Sequence, residues 1–194
     1  MSYDDVRNGD LAAVVTFLEM REKPQQTTIP PSPLSLRRME NPQTDAYRNL
    51  FRQVGSPWLW FSRLVMDDAK LAEIIRHPEI DLYAVVDKTD REVGMLELDF
   101  REAGEGELSF VGLIPELSGQ GHGRWLLAEA VRLAWRDGVK RVHVHTCTLD
   151  HPAALSAYRR AGFEPYRRAI EHFPDPRLIG LLPRDCAPPI PLIG

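Results

Sequence analysis

Leu108–Leu127 reads LSFVGLIPELSGQGHGRWLL, and its succession of patterns decides the fold. An apolar run ends at Pro115. Three alternating glycines follow, Gly119, Gly121 and Gly123, and a helix-like pattern then begins. The spacing predicts strand, glycine loop and helix start in that order. Such a loop turns several backbone N–H groups toward one point, and the helix N-terminus adds partial positive charge there. Glycine is needed where a side chain would block close approach or where φ is positive. The stretch therefore predicts a site for a phosphate or pyrophosphate.

The spacing separates the known loops of this kind. A dinucleotide fingerprint, G-x-G-x-x-G counted from Gly121, needs a third glycine where Leu126 stands. A P-loop needs Gly-Lys-Ser/Thr, but Gly123 is followed by Arg124 and Trp125. A third pattern, Arg/Gln-x-x-Gly-x-Gly/Ala, is met at both glycines by Ser118-Gly119-Gln120-Gly121-His122-Gly123, with Ser118 in place of Arg or Gln. A glycine-rich turn without a ligand is the remaining reading.

A second segment, Arg141–Phe163, reads RVHVHTCTLDHPAALSAYRRAGF. Val142, Val144 and Thr146 alternate with His143, His145 and Cys147, which predicts a strand with those two faces. Pro152 suits the first turn of a helix, with Asp150 or His151 near its cap, and Gly162 suits its end. The segment resembles the signature Asn-x-x-Ala-x-x-x-Tyr followed by Gly-Phe. Ala154, Tyr158, Gly162 and Phe163 are in register, and His151 stands where Asn is usual. Both signatures, in this order, resemble the GCN5-related N-acetyltransferase (GNAT) superfamily, over roughly Leu82 to Phe173.

The resemblance implies an α/β (α+β) fold with a mixed, mostly antiparallel central sheet and helices on both faces. It implies that the strands ending near Pro115 and Thr148 are neighbours that splay apart. Acetyl-CoA would be the co-substrate, with no metal. Backbone groups of Leu113 and Ile114 would meet the pantetheine arm. Ser118, Gly119, Gln120, Gly121, His122, Gly123 and Arg124 would hold the pyrophosphate, with His151 beside them. Core packing of the Leu113 and Ile114 side chains and a solvent-facing Arg124 are the alternatives. Tyr158 stands where the superfamily places the acid that serves the CoA sulfur, and packing against the next strand is its structural alternative.

Attack of a neutral amine on a thioester also needs a base. Glu107, on the strand leading into the glycine loop, is the first candidate. Glu97, Asp99 and Asp150 are rivals, and helix capping is the alternative role of Asp150. His143, His145 and His151 can each act as base, but no third residue completes a metal site. The implied function is transfer of an acetyl group to a primary amine of a small-molecule or protein acceptor through a ternary complex. A non-catalytic acyl-CoA sensor or interaction module on the same fold is the alternative.

The rest of the 194-residue chain fits one soluble domain, residues 1–173, followed by a proline-rich tail, residues 174–194. A net charge of −4 without a long basic run argues against a non-specific nucleic-acid binder. No signal peptide, no membrane span and no disulfide framework for Cys147 and Cys186 predict a cytoplasmic protein. A homodimer is allowed by the resemblance and is not decided by the sequence. Leu11–Glu22 is expected as a strand and Pro24–Pro33 as a loop. Helices are expected from Asn41 to Gly55 and after Asp67, a hairpin from Leu82 to Phe100, a strand from Glu105 to Glu116 and a helix from Arg124 to Asp137. Pro57–Phe61 is the densest aromatic cluster; it suits either a cationic amine or the core. Arg48, Arg52 and Arg63 near it are candidates for an acceptor carboxylate or phosphate.

Overall fold

In the computed structural model, which describes residues 3–25 and 28–194, the expected periodicities become one mixed sheet with helices on both faces. Met1, Ser2 and, within the expected Pro24–Pro33 loop, Gln26 and Thr27 lie outside the described residues. The strands are β1 (Asp10–Met20), β2 (Ser35–Arg38), β3 (Ile80–Val86), β4 (Glu92–Asp99), β5 (Glu105–Leu113), β6 (Arg141–Cys147) and β7 (Glu164–Pro174). They lie in the order β2-β3-β4-β5-β6-β1-β7. Every pairing is antiparallel except β5 with β6.

The helices are α1 (Thr44–Gly55), α2 (Asp68–Ile75), α3 (His122–Ala134) and α4 (Ala154–Arg160). α1 buries Tyr47, Leu50, Phe51 and Val54, the stripe that the sequence spacing sets on one side. It covers the sheet face that carries Glu97 and Phe110. α3 buries Trp125, Leu126, Ala130, Val131 and Ala134 against the opposite face. Asp67 caps α2, its carboxylate accepting from Lys70 N at 2.8 Å. β6 shows the expected alternation, with Val142, Val144 and Thr146 buried and His143, His145 and Cys147 more open.

Several details differ from the sequence reading: the strand expected to run to Glu22 ends at Met20, and the one expected to run to Glu116 ends at Leu113. β2 forms where no strand is expected, because two exposed arginines interrupt its apolar pattern. α3 stops at Ala134, three residues early, since Trp135 leaves helical geometry (ψ 58°) and turns its indole N–H onto Met20 Sδ at 3.3 Å. Pro174 ends β7; residues 175–194 carry no strand or helix, as expected of the tail, and they are fixed. Asp175 and Arg177 form a buried ion pair at 2.7 Å, and the Arg177 guanidinium donates to the carbonyls of Cys186, Ala187, Ile190 and Pro191. Leu182 and Ala187 are buried, and Gly9 N donates to Ile193 O at 3.0 Å.

The feature that positions the site is the parallel seam. β5 and β6 pair only at Glu105–Arg141, Gly106–Val142 and Glu107–His143, and then separate. A β-bulge at Ser109 between Glu97–Phe110 and Leu98–Leu108 bends β5 at the same place. From there to Leu113 the strand has no strand partner on its β6 side among the described residues.

Candidate active site

A cavity of about 700 Å³ occupies this gap. Its walls come from the loop after α1, from β5, the glycine loop, β6, α4 and β7. At one end stands the loop the sequence singled out. Gly119 and Gly121 have φ of +75° and +84°, a conformation that costs a side-chain-bearing residue about 1–2 kcal/mol. A Cβ at Gly119, Gly121 or Gly123 would meet nothing within 4 Å, so the glycines border open space rather than packed neighbours. Among the described residues, nothing accepts from the backbone N–H groups of residues 119–123. Free donors at the start of a helix suit an anion, and a pyrophosphate fits this donor set. Arg124, exposed and without an ionic partner among the described residues, borders the same space. Gln120 instead donates its side-chain amide to Glu116 O at 2.8 Å. His122 Nδ1 lies 3.3 Å from Ser32 Oγ, which ties the proline-rich loop to the start of α3.

Ser118 and His151 meet across the gap, Ser118 Oγ lying 3.1 Å from His151 Nε2. His151 Nδ1 accepts from Ala153 N at 3.1 Å, and the ring abuts Trp58 edge-on at 5.0 Å. Leu113 pairs with Gly94, and Ile114 is buried and donates its N–H to Val93 O. Both line the cavity where β5 has left β6.

Tyr158 reaches the cavity from α4, with its ring buried edge-on to Phe163 at 5.9 Å. Its hydroxyl has no hydrogen-bond partner among the described residues. Burial, together with the Asp150 carboxylate, pushes its pKa above the ordinary phenol value, so it stays a proton donor.

Glu107 and His145, which also line the cavity, come together with Glu107 Oε1 3.4 Å from His145 Nδ1. Burial works to raise the Glu107 carboxyl, but the bond to His145 and the nearby His143 outweigh it and lower it. The bond to Glu107 raises His145 against the opposing effect of burial, and the Asp150 and Glu171 carboxylates add to the rise. His145 Nε2 has no partner among the described residues. His143 is set aside by its own contact, 3.3 Å from Glu105.

The remaining sequence candidates are engaged by partners of their own, although Trp60, Arg63, Asp99 and Asp150 also line the cavity. Asp150 does not cap α4. It accepts from Thr146 Oγ1 and Cys147 N at 2.7 and 2.9 Å, and from Trp60 Nε1 at 3.2 Å, bracing the end of β6. Glu97 is fully buried between Tyr47 and Arg63, at 2.6 and 2.5 Å. Asp99 is bound bidentately by Arg101. Arg48 is engaged by Asp68 and Met66 O. Trp60 fills core between Phe51 and Phe110. A Cβ at Gly112 would lie 2.6 Å from Val54 and 3.2 Å from the Trp60 ring, so close packing requires glycine there.

The cavity also includes residues that the motifs do not reach. Glu171 and Phe173 enter from β7, and Phe61 stacks on Phe173 at 4.7 Å. Their signal is the alternation of Arg167, Ala169, Glu171 and Phe173 on one face of an extended segment, which gains meaning only once β7 is known to lie beside β1.

The family model described as the acetyltransferase (GNAT) family matches residues 44–163. Among solved structures, a GCN5-related N-acetyltransferase from Sphaerobacter thermophilus superposes with a TM-score of 0.56 at 20% identity, covering 87% of this chain and 52% of that one. One from Kribbella flavida gives 0.52 at 17% identity, over 87% and 60%. Mutant forms of the spermidine/spermine N-acetyltransferase SpeG from Vibrio cholerae give 0.53 at 18% identity, over 72% and 94%. The chain thus spans about half the length of the Sphaerobacter protein, and at these identities the likeness is one of fold. Comparison with curated proteins gives no match. Splayed seam, glycine loop and family model agree: the chain belongs to the GNAT family of acetyltransferases.

Proposed function

We propose that this protein transfers an acetyl group from acetyl-CoA to a primary amine of a small molecule or protein, by direct attack within a ternary complex. The observation that carries the reading is one continuous cavity bordered by Gly119, Gly121 and Gly123 of the glycine loop, by Tyr158 and by the Glu107–His145 pair. The loop amides and Arg124 would hold the pyrophosphate, with Ser118 and His151 beside them. Leu113 and Ile114 would offer backbone groups to the amide-rich arm, which needs such partners.

Acetyl-CoA, when bound, supplies the thioester that the amine attacks. The chain's own groups then divide the protons. His145, held by Glu107 at Nδ1, takes the proton from the amine at Nε2. Glu107, its pKa lowered, is the weaker base and serves to orient the ring and stabilise its charged form. Tyr158 donates its phenolic proton to the departing sulfur. Asp150 fixes the turn between β6 and α4; His151 stands on that turn and Tyr158 on the helix that follows it. Two unpaired cysteines, Cys147 and Cys186, fit a reducing cytoplasm.

Isothermal titration with acetyl-CoA, CoA and ATP, followed by a primary-amine panel that includes polyamines, tests the reading. Micromolar or tighter binding of acetyl-CoA, far weaker binding of ATP, and release of free CoA with an amine are expected. Binding without turnover across the panel would favour a non-catalytic acyl-CoA sensor. Absence of acetyl-CoA binding would overturn both.

A further inference from the structure

The sheet ends in two unlike edges. β2 is four residues long, and its Arg37 and Arg38 are paired with Asp90, Glu92 and Asp81. A short, charged edge of this kind resists pairing with another chain. β7 at the other edge has eleven residues, and Phe173 is the one buried among them. Only its first residues carry blocking devices: Pro165 lacks an N–H, and the register shifts opposite Phe17 and Leu18. From Arg167 to Phe173 the strand is regular, and its outer backbone edge has no strand partner among the described residues. Beside it lies exposed apolar surface, with Ile170 63% and its β1 partner Val14 42% exposed.

We propose that β7 pairs antiparallel with β7 of a second copy of this chain, the two-fold axis passing through Ala169. Residues opposite each other in an antiparallel pair share a face, so the axis of a self-pair must fall on a residue. Centred on Ala169, Arg167 lies opposite Glu171 of the partner subunit, and the pair occurs twice. Centred on Arg168, Glu171 would face a proline and Arg167 an alanine. Centred on Ile170, Arg168 would face His172 and Arg167 a phenylalanine. Among these registers, the Ala169 one alone sets opposite charges together. It uses two residues that have no ion-pair partner among the described residues, Arg167 lying instead over the Phe17 ring at 4.0 Å. It also brings the two Ile170 side chains into a diagonal cross-strand contact on the other face, covering apolar area that water meets in the single chain. Because Glu171 lines the cavity, the partner would place a guanidinium at its rim. The inference does not depend on acetyl transfer.

Sedimentation velocity of the full chain tests it. The wild-type protein should be dimeric at about 100 μM. R167E or E171R alone sets like charges opposite each other twice and should weaken the dimer on the order of a hundredfold. An equimolar mixture of the two variants restores both opposite-charge pairs and should recover a dimer containing one of each. Hydrogen exchange of the wild-type chain, compared above and below its dissociation constant, should slow across residues 167–173. That readout needs no variant to fold. A wild-type monomer at this concentration, a dimer indifferent to both variants, or exchange unchanged along β7 would each overturn the proposal.

Discussion

Ser118 Oγ and His151 Nε2 lie 3.1 Å apart, so the two residues at which the chain departs from the usual GNAT signatures are each other's partner. Because His151 Nδ1 accepts from Ala153 N, Nε2 carries the ring proton and donates to the serine oxygen. The serine hydroxyl proton is then free to face a ligand oxygen. The bond also joins the glycine loop to the start of α4 across the gap where β5 and β6 no longer pair.

Ser118→Ala and His151→Ala should each raise the CoA dissociation constant about three- to tenfold, the usual worth of one hydrogen bond. Turnover at saturating acetyl-CoA should change by less than about twofold if the bond acts on binding alone. Since both variants remove the same link, the double variant should cost little more than His151→Ala. Calorimetric titration of the three proteins reads this directly, and fully additive losses would show that the two residues act separately.

Tyr158→Phe removes a hydroxyl that has no partner among the described residues, so stability should hold or rise slightly. The turnover number should fall about a hundredfold, the lower range for loss of a general acid. CoA affinity should stay within about twofold. Burial holds the phenol protonated through the neutral and mildly alkaline range, so no alkaline loss of rate should trace to it. A variant with weakened CoA binding and unchanged turnover would assign Tyr158 to packing.

The signatures were legible because local geometry is written locally. Gly119 and Gly121 are glycine for their positive φ, and the alternation of β6 follows from one buried and one open face. The partnerships were less so. Asp150 looked like a cap for α4, yet it turns back to Thr146, Cys147 and Trp60, a choice made by a residue ninety positions away. His145 and Glu107 were both visible as candidates, but their pairing depends on β5 running parallel beside β6. Glu171 carried no motif at all; the chain returns it to the cavity through β7.

The Glu107–His145 pair predicts a pH signature. His145 is raised above 6.5 chiefly by Glu107, so kcat/KM should rise with pH through a value above 6.5 as the ring loses its proton. Glu107→Gln removes the main raising cause and should move this acid limb to lower pH. Stability follows the same pair with opposite signs. The raised His145 contributes fully below its unfolded value near 6.5, and this is lost as pH rises through its folded value. The lowered Glu107 contributes fully above 4.5, and this is lost as pH falls through its folded value. The pair should therefore stabilise the fold most between about pH 4.5 and 6.5, and Glu107→Gln should flatten that advantage in urea titrations. A wild-type acid limb that Glu107→Gln leaves in place would remove His145 as the base.

Glu97 is completely buried, yet it accepts from Tyr47 and Arg63 at once. The Arg63 guanidinium lies over Phe110, 5.1 Å from the ring centroid, and its Nε has no hydrogen-bond partner among the described residues. The trio is therefore balanced through one carboxylate. Glu97→Ala leaves a buried cation and a buried hydroxyl without their acceptor, and should cost about 3–5 kcal/mol of stability. Replacing all three members, Tyr47→Phe with Arg63→Met and Glu97→Met, removes every charge and should recover most of that loss, because apolar residues of similar volume tolerate such a site. Urea unfolding of the single and triple variants decides the matter. A triple variant no more stable than Glu97→Ala would mean that the shape of the trio, rather than its charge balance, holds α1 against β4.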